Sequence, residues 1–323
     1  MTNLTKKTAW HKALDYDELL EDSVKHVVCR HTHIYDYGNM ILNYPQSSKT
    51  TLDMRPALHP LFKQLPEGIS EFTFANLYLF RETHHYRISY LVDKIIMVFG
   101  DDAGETFFML PFGLPDKDMM DELFGQFVSM KCVSENQTKK LTQMGYAVSE
   151  DRQNFDYLYL QKDLAELSGR KFHKKRNLIK AFINNYSYEG KPLLEEYHSD
   201  AIHILETWRQ GRSDIGDYIA AKEALEKAEE LQLCGGIYYV DGQPCAYSLG
   251  EELAQGQSFV IHFEKAVKDY KGLWQFVNQA FASILPEIYK TINREQDLGT
   301  EGLRKAKLSY NPVDFVKKYR VKN

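Results

Sequence analysis

Asp241-Gly242 sits between two apolar runs, Ile237 to Val240 and Cys245 to Glu251, and constrains this chain more than any other short feature. An Asp-Gly pair supplies the left-handed backbone of a tight turn, so the flanking runs read as an antiparallel hairpin. Ser258 to Phe263 adds a third strand. A helical segment, Leu273 to Leu285, ends at Pro286 and is followed by a short strand, Ile288 to Ile292. Next comes Asn293-Arg294-Glu295-Gln296-Asp297-Leu298-Gly299, then a helix from about Glu301 carrying Arg304, Lys305 and Lys307. This order specifies an α/β (α+β) fold with a mixed sheet. Ligands of open sheets gather beyond the carboxyl ends of strands. The charged block after Ile292 is therefore the first place to look for function.

Upstream, Tyr86 to Leu91, Lys94 to Phe99 and Glu105 to Leu110 alternate as strands, the last two joined across Gly100 to Gly104. A helix over Asp118 to Phe127, a strand near Cys132 and a helix ending at Gly145 follow. Tyr157 to Leu160 reads as a strand and Lys171 to Asn184 as a basic helix. Ser199 to Gln210 and Tyr218 to Leu231 read as two more helices. Pro45 to Lys49 is a loop by composition. The aromatic run Glu71 to Arg81 fits no single period.

At 323 residues the chain is long enough for two domains. The expected division is a mostly helical extension over 1–50, a first domain over 51–153 and a second over 154–323. No apolar run approaches the ~20 residues of a membrane helix, and the first ten residues lack a signal-peptide core. The expectation is a cytoplasmic protein. Cys29, Cys132, Cys234 and Cys245 are scattered and read as free thiols rather than disulfides. Cys29-x-His31-x-His33 and His84-His85 lack a spaced partner pair, so no metal is expected.

Net charge is −5, unevenly spread. Residues 168–180 carry +6 with no acid, and residues 294–323 carry +4, leaving −15 elsewhere. Two basic islands on an acidic chain suggest a focused anion site.

Four blocks carry a family resemblance: Ser70 to Arg81, Ser168 to Asn177, Val260 to Ala266, and Asn293 to Pro312. Together they resemble the DUF2156 group, related to the C-terminal domain of phosphatidylglycerol lysyltransferase, over about residues 52–323. That group is similar in turn to the Fem-type peptidyltransferases, which take amino acids from aminoacyl-tRNA. The resemblance implies two tandem GNAT-like (acyl-CoA N-acyltransferase-like) domains with mixed central sheets. It also implies an acyl or aminoacyl transfer, with aminoacyl-tRNA or acyl-CoA as donor and tRNA or another nucleotide-bearing anion as partner.

Candidate residues follow. Lys174, Lys175, Arg176 and Asn177 start the basic helix, where cations oppose the helix dipole and an anionic ligand would relieve them. Arg294, Asp297, Lys305 and Lys307 are the substrate-binding candidates of the charged block; positions 304 and 307 share a face, with Ala306 and Leu308 expected toward the core. Glu264 is the candidate proton acceptor, against a salt bridge to Lys265 or Arg294. His262 reads as a satisfied core histidine. Tyr310 lies near the position where many GNAT enzymes keep a tyrosine that protonates the leaving thiolate. Gly272 marks the place of a pyrophosphate-binding turn, but Asp269 and Trp274 replace its cationic and small residues, which weakens the case for coenzyme A.

Overall fold

In a computed structural model of the chain, which describes residues 40–322 apart from 211 and 213, two seven-stranded mixed sheets carry the architecture. Most of the helical extension expected over 1–50, and the Cys29, His31 and His33 cluster, lie outside the described residues.

The first sheet contains β1 (Ser48–Lys49), β2 (Arg87–Tyr90), β3 (Ile96–Asp102), β4 (Glu105–Met109), β5 (Ser129–Val133) and β6 (Ala147–Glu150). The second contains β7 (Asp156–Leu160), β8 (Tyr188–Pro192), β9 (Cys234–Val240), β10 (Gln243–Leu253), β11 (Ser258–Ala266), β12 (Thr291–Asn293) and β13 (Asp314–Val316). The last strand, β14 (Tyr319–Lys322), returns to the first sheet, where the order is β1-β2-β3-β4-β5-β14-β6. The second sheet runs β13-β7-β12-β11-β10-β9-β8.

Helices α1 (Arg55–Lys63), α2 (Phe74–Leu79), α3 (Lys117–Gln126) and α4 (Glu135–Gln143) belong to the first half. The second half holds α5 (Gln161–Glu166), α6 (His173–Asn185), α7 (His198–Gln210), α8 (Tyr218–Glu226), α9 (Ala228–Leu231), α10 (Leu273–Ile284) and α11 (Glu301–Leu308). In α2, the Thr73 hydroxyl accepts from Asn76 N at 3.0 Å and caps a helix in which every residue is buried. A helix buried on all sides has no polar stripe, which explains why the aromatic run gave no period. The helix expected over Tyr218 to Leu231 breaks at Lys227, whose φ of −119° is not helical. Part of the expected loop before residue 50 pairs as β1 with β2.

One apolar cluster takes Ile88, Val98 and Phe107 from the first sheet and Tyr247, Leu249 and Phe263 from the second, with α2, α7 and α8 between them. A second cluster covers the other face of the first sheet with α3 and α4, and Val321 of β14 lies fully buried in it. A polar seam joins the halves as well. Lys318, about 1% exposed, pairs with Asp156 at 2.7 Å and with Glu71, while Asn293 donates to Asp156 at 3.1 Å and to Gly68 O at 3.0 Å.

Candidate functional site

The second sheet opens between β11 and β12. These strands run parallel and pair at three positions, Ser258–Thr291, Phe259–Ile292 and Val260–Asn293. β12 stops at Asn293 while β11 runs on to Ala266, leaving residues 261–266 without a strand on that side. A bulge falls at the same place: Leu249 faces Phe263 and Gly250 faces Ile261, so His262 is the extra residue. Gly250 permits the crossing strand to come close, since a Cβ there would stand 1.9 Å from Val260 O.

Side chains bridge the opening. Arg294, the first residue after β12, donates to Glu264 Oε1 at 2.8 Å. The other carboxylate oxygen, Oε2, is buried and has no hydrogen-bond partner among the described residues. Directly opposite Glu264 on β10 is Ser248, whose buried hydroxyl is also unpartnered. Asn278, on the α10 helix that packs against β9 and β10, leaves both amide atoms unpaired. Buried polar atoms are nearly always hydrogen-bonded. The unpaired Ser248 and Glu264 atoms, on facing residues of β10 and β11, are free to bond a ligand.

Glu295 closes the opening one residue further on. Its Oε1 lies 2.8 Å from His262 Nδ1, and His262 Nε2 lies 3.0 Å from Glu251 Oε1. Burial works against a charged imidazole, but the two carboxylates outweigh it and push the His262 pKa up to about 10. The histidine is satisfied and buried, as its sequence context suggested, and its two carboxylate partners favour the charged form.

Around Arg294 the cations gather. Lys175 of α6 sits 3.8 Å above the Tyr310 ring and donates to Ser309 Oγ at 2.7 Å. The Arg294 guanidinium lies 5.5 Å from the same ring. Lys307 turns inward from α11 and donates to the backbone carbonyls of Arg294 and Glu295. Burial first, and the Arg294 charge second, pull Lys307 down to about 8 and Lys175 in the same direction. Burial also pushes the Tyr310 phenol up to about 12, with Arg294 opposing the shift. Tyr159, whose ring stands 6.5 Å from that of Tyr310, completes the wall.

The candidates thus divide. Glu264, Arg294, Lys175, Lys307 and Tyr310 come together. Lys174 and Asn177 are exposed on α6, and Asn177 meets only His173 at 3.5 Å. Arg176 donates to the carbonyls of Leu167 and Gly169 and so holds the loop before its own helix. Asp297 is fully buried. Arg304 grips it through two contacts of 2.9 Å, Tyr157 donates to it at 2.6 Å, and Gly299 N does so at 2.9 Å. With its oxygens taken, Asp297 ties α11 to β7 rather than facing a ligand. Lys305 projects into solvent and pairs with Glu301 one turn away. Ala306 and Leu308, expected toward the core, are exposed; the inward residues of α11 are Arg304 and Lys307. Lys265, the alternative partner for Glu264, pairs with Asp217 at 2.6 Å on the other side of the sheet.

Gly272 begins α10 with φ +91°, and a Cβ there would stand 2.3 Å from Leu178 O. The glycine serves the close approach of α6 and α10. His84 and His85 pair with Asp102 and Asp101 instead of with each other, and Lys131 also contacts Asp102. Cys132, Cys234 and Cys245 are free. Among the described residues no helix is long and apolar enough to cross a membrane. A cavity of about 560 Å³ lies far from this chemistry, lined by Leu65, Phe72, Phe112 and Lys140 beside the first sheet. Its polar neighbours are already bonded, Gln137 to Leu110 O at 2.8 Å and Lys140 to Leu114 O at 3.2 Å. The Glu264 cluster, with its unpaired buried atoms, is the better candidate.

Ser248, Asn278 and Tyr159 were missed in the sequence. A polar residue inside an apolar strand or helix run was the signal for the first two.

Two mixed sheets in tandem, the second opening at a parallel pair of strands, have the GNAT-like fold. The family model for the C-terminal region of phosphatidylglycerol lysyltransferase matches residues 62–322, and the chain belongs to that family. A conserved protein of unknown function from Bacteroides thetaiotaomicron is similar at 31% identity and TM-score 0.78, over 85% of this chain and 98% of that one. The C-terminal domain (DUF2156) of a putative lysylphosphatidylglycerol synthetase from Agrobacterium fabrum shares the fold at TM-score 0.58 and 12% identity, over 84% of this chain and 92% of that one. FemX shares it at TM-score 0.52 and 8% identity, over 85% and 96%. An uncharacterised protein of Mycoplasmoides gallisepticum is 27% identical over 179 residues, 52% of this chain, and the match spans 56% of that relative.

Proposed function

We propose that the protein is an acyltransferase that moves an aminoacyl or acyl group from an activated carrier, an aminoacyl-tRNA foremost, to an amine or hydroxyl acceptor. One observation carries the reading: Glu264 stands at the open end of β11 with Oε1 held by Arg294 and Oε2 buried and unpaired. An attacking amine or hydroxyl must lose a proton, and a fixed carboxylate with a spare oxygen can accept it. As the bond to the acceptor forms, the carrier oxygen leaves with the bonding pair and takes up a proton; Tyr310 is the candidate donor. Positioning of donor and acceptor in the cleft supplies most of the remaining advantage. The family's lysyltransferase name supports a transferase, and the packing of Gly272 against Leu178 weighs against coenzyme A as carrier.

A second reading rests on the Arg294–Glu264 pair itself, which occupies half of the would-be base: the fold would then serve as a binding module for tRNA or a nucleotide-bearing ligand. Transfer of labelled amino acid from charged tRNA to an acceptor extract separates the two. Label that appears with the wild type and is lost with Glu264→Gln supports transfer. Binding of charged tRNA without any transfer supports the module.

A further inference from the structure

The cations beside Glu264 outnumber their partners. Lys175 Nζ bonds a hydroxyl, Ser309 Oγ at 2.7 Å, and has no carboxylate within ion-pair distance among the described residues. Lys307 bonds two backbone carbonyls and likewise has no carboxylate partner there. Arg294 spends one donor nitrogen on Glu264. The next carboxylate, Glu295, is engaged by His262. Three cations thus crowd Tyr310 and the end of β12, and among the described residues only Arg294 forms an ion pair, with Glu264. Desolvated like charges repel, and in a folded protein such an excess is relieved by a bound anion. Tyr310 adds to the set. Its ring is buried between Lys175 and Arg294, and its hydroxyl has no partner among the described residues.

We propose that Lys175, Arg294 and the Tyr310 hydroxyl form an anion subsite that takes the phosphate group of a ligand, with Lys307 behind them holding Arg294 in place. A planar guanidinium, a point-charge ammonium and a phenol donor, gathered about one ring, are donors that suit a tetrahedral oxyanion with two negative charges. The subsite deepens the transfer reading and rests on it for its location, since the phosphate would lie a few residues from the Glu264 oxygen that meets the acceptor. A nucleotide carrier and a phosphorylated small-molecule acceptor would both bring such a group.

The test uses the full chain and simple probes. Calorimetric titration with inorganic phosphate, at ionic strength matched with chloride, is expected to give saturable one-to-one binding. Lys175→Gln, at a half-exposed position, is expected to weaken it about tenfold or more. Arg294→Gln should weaken it further, and Lys174→Gln should bind as the wild type does. Phosphate that fails to bind, or that binds Lys175→Gln and wild type alike, overturns the subsite. Adenosine 5′-monophosphate and glycerol 1-phosphate then identify the source: tighter binding of the first points to a nucleotide, of the second to a small phosphorylated acceptor. Absence of label transfer by the wild type, with its phosphate binding intact, would sink the transfer reading alone. Transfer without phosphate binding would sink the subsite alone.

Discussion

Arg294 Nη2 lies 2.8 Å from Glu264 Oε1, joining the first residue after β12 to a strand that β12 itself no longer reaches. Both side chains are mostly buried, 17% and 9% exposed. Removing one half of such a pair leaves the other charge desolvated and costs about 3–5 kcal/mol when burial is complete. Glu264→Gln should therefore lower the melting temperature, toward the low end of that range because Arg294 keeps some solvent. Combining it with Arg294→Met should restore part of the loss. A single variant as stable as wild type would mean that the pair is spent elsewhere.

His262 makes stability depend on pH. Its pKa rises from 6.5 unfolded to about 10 folded, so the folded state holds the proton more tightly. The contribution is complete below pH 6.5 and drains away as pH climbs to 10, at up to about 1.4 kcal/mol per unit. Denaturant unfolding between pH 6 and 10 should show this slope, and His262→Gln should remove it. An unchanged slope in the variant would refute the doubly paired imidazolium.

Lys307 works in the opposite sense. With its pKa lowered to about 8, the unfolded chain binds the extra proton between about pH 8 and 10.5, so stability gains as pH rises through that window. The groups facing it are Arg294, Glu295, Asp156 and Glu264. Lys307→Met should abolish the gain, measured as the difference from wild type at pH 8 and 10. Lys305→Ala, on the solvent side of the same helix, should change stability by no more than about 0.5 kcal/mol.

Gly272→Ala tests a packing role directly. The position has φ +91°, and the added methyl would press on the backbone oxygen of Leu178. Strain of this kind costs on the order of 1–3 kcal/mol before any clash. A fall in melting temperature with phosphate binding unchanged is expected. Weakened phosphate binding at full stability would return the glycine to the ligand.

Local chemistry is what the sequence exposed. Asp241-Gly242 turns because both residues adopt positive φ, and Gly145 ends its helix for the same reason. Glu264, Arg294, Lys175, Lys307 and Tyr310 could be named because charge and phenols stand out in a strand–helix context. Which way they face could not. The α11 helix turns Lys307 inward, leaves Arg304 half-exposed and shows Leu303 and Leu308 to solvent, against the usual amphipathic rule. Asp297 looked like a ligand because nothing local reveals Tyr157 and Arg152 arriving from residues far upstream. β8 was invisible for a different reason: Gly190 and Pro192 suit an edge strand but erase the alternation by which strands are recognised.

β14 lies between β5 and β6, strands formed from residues about 170 positions earlier. β14 is the strand that fills that gap. On the ribosome the first sheet must therefore wait, with two raw edges facing each other, until residue 322 has cleared the exit tunnel. Such late, long-range pairing slows folding. Residues 40–153 expressed alone would present the same open slot to any passing strand, so the first half is expected to be insoluble by itself and to be rescued by a peptide spanning residues 314–322.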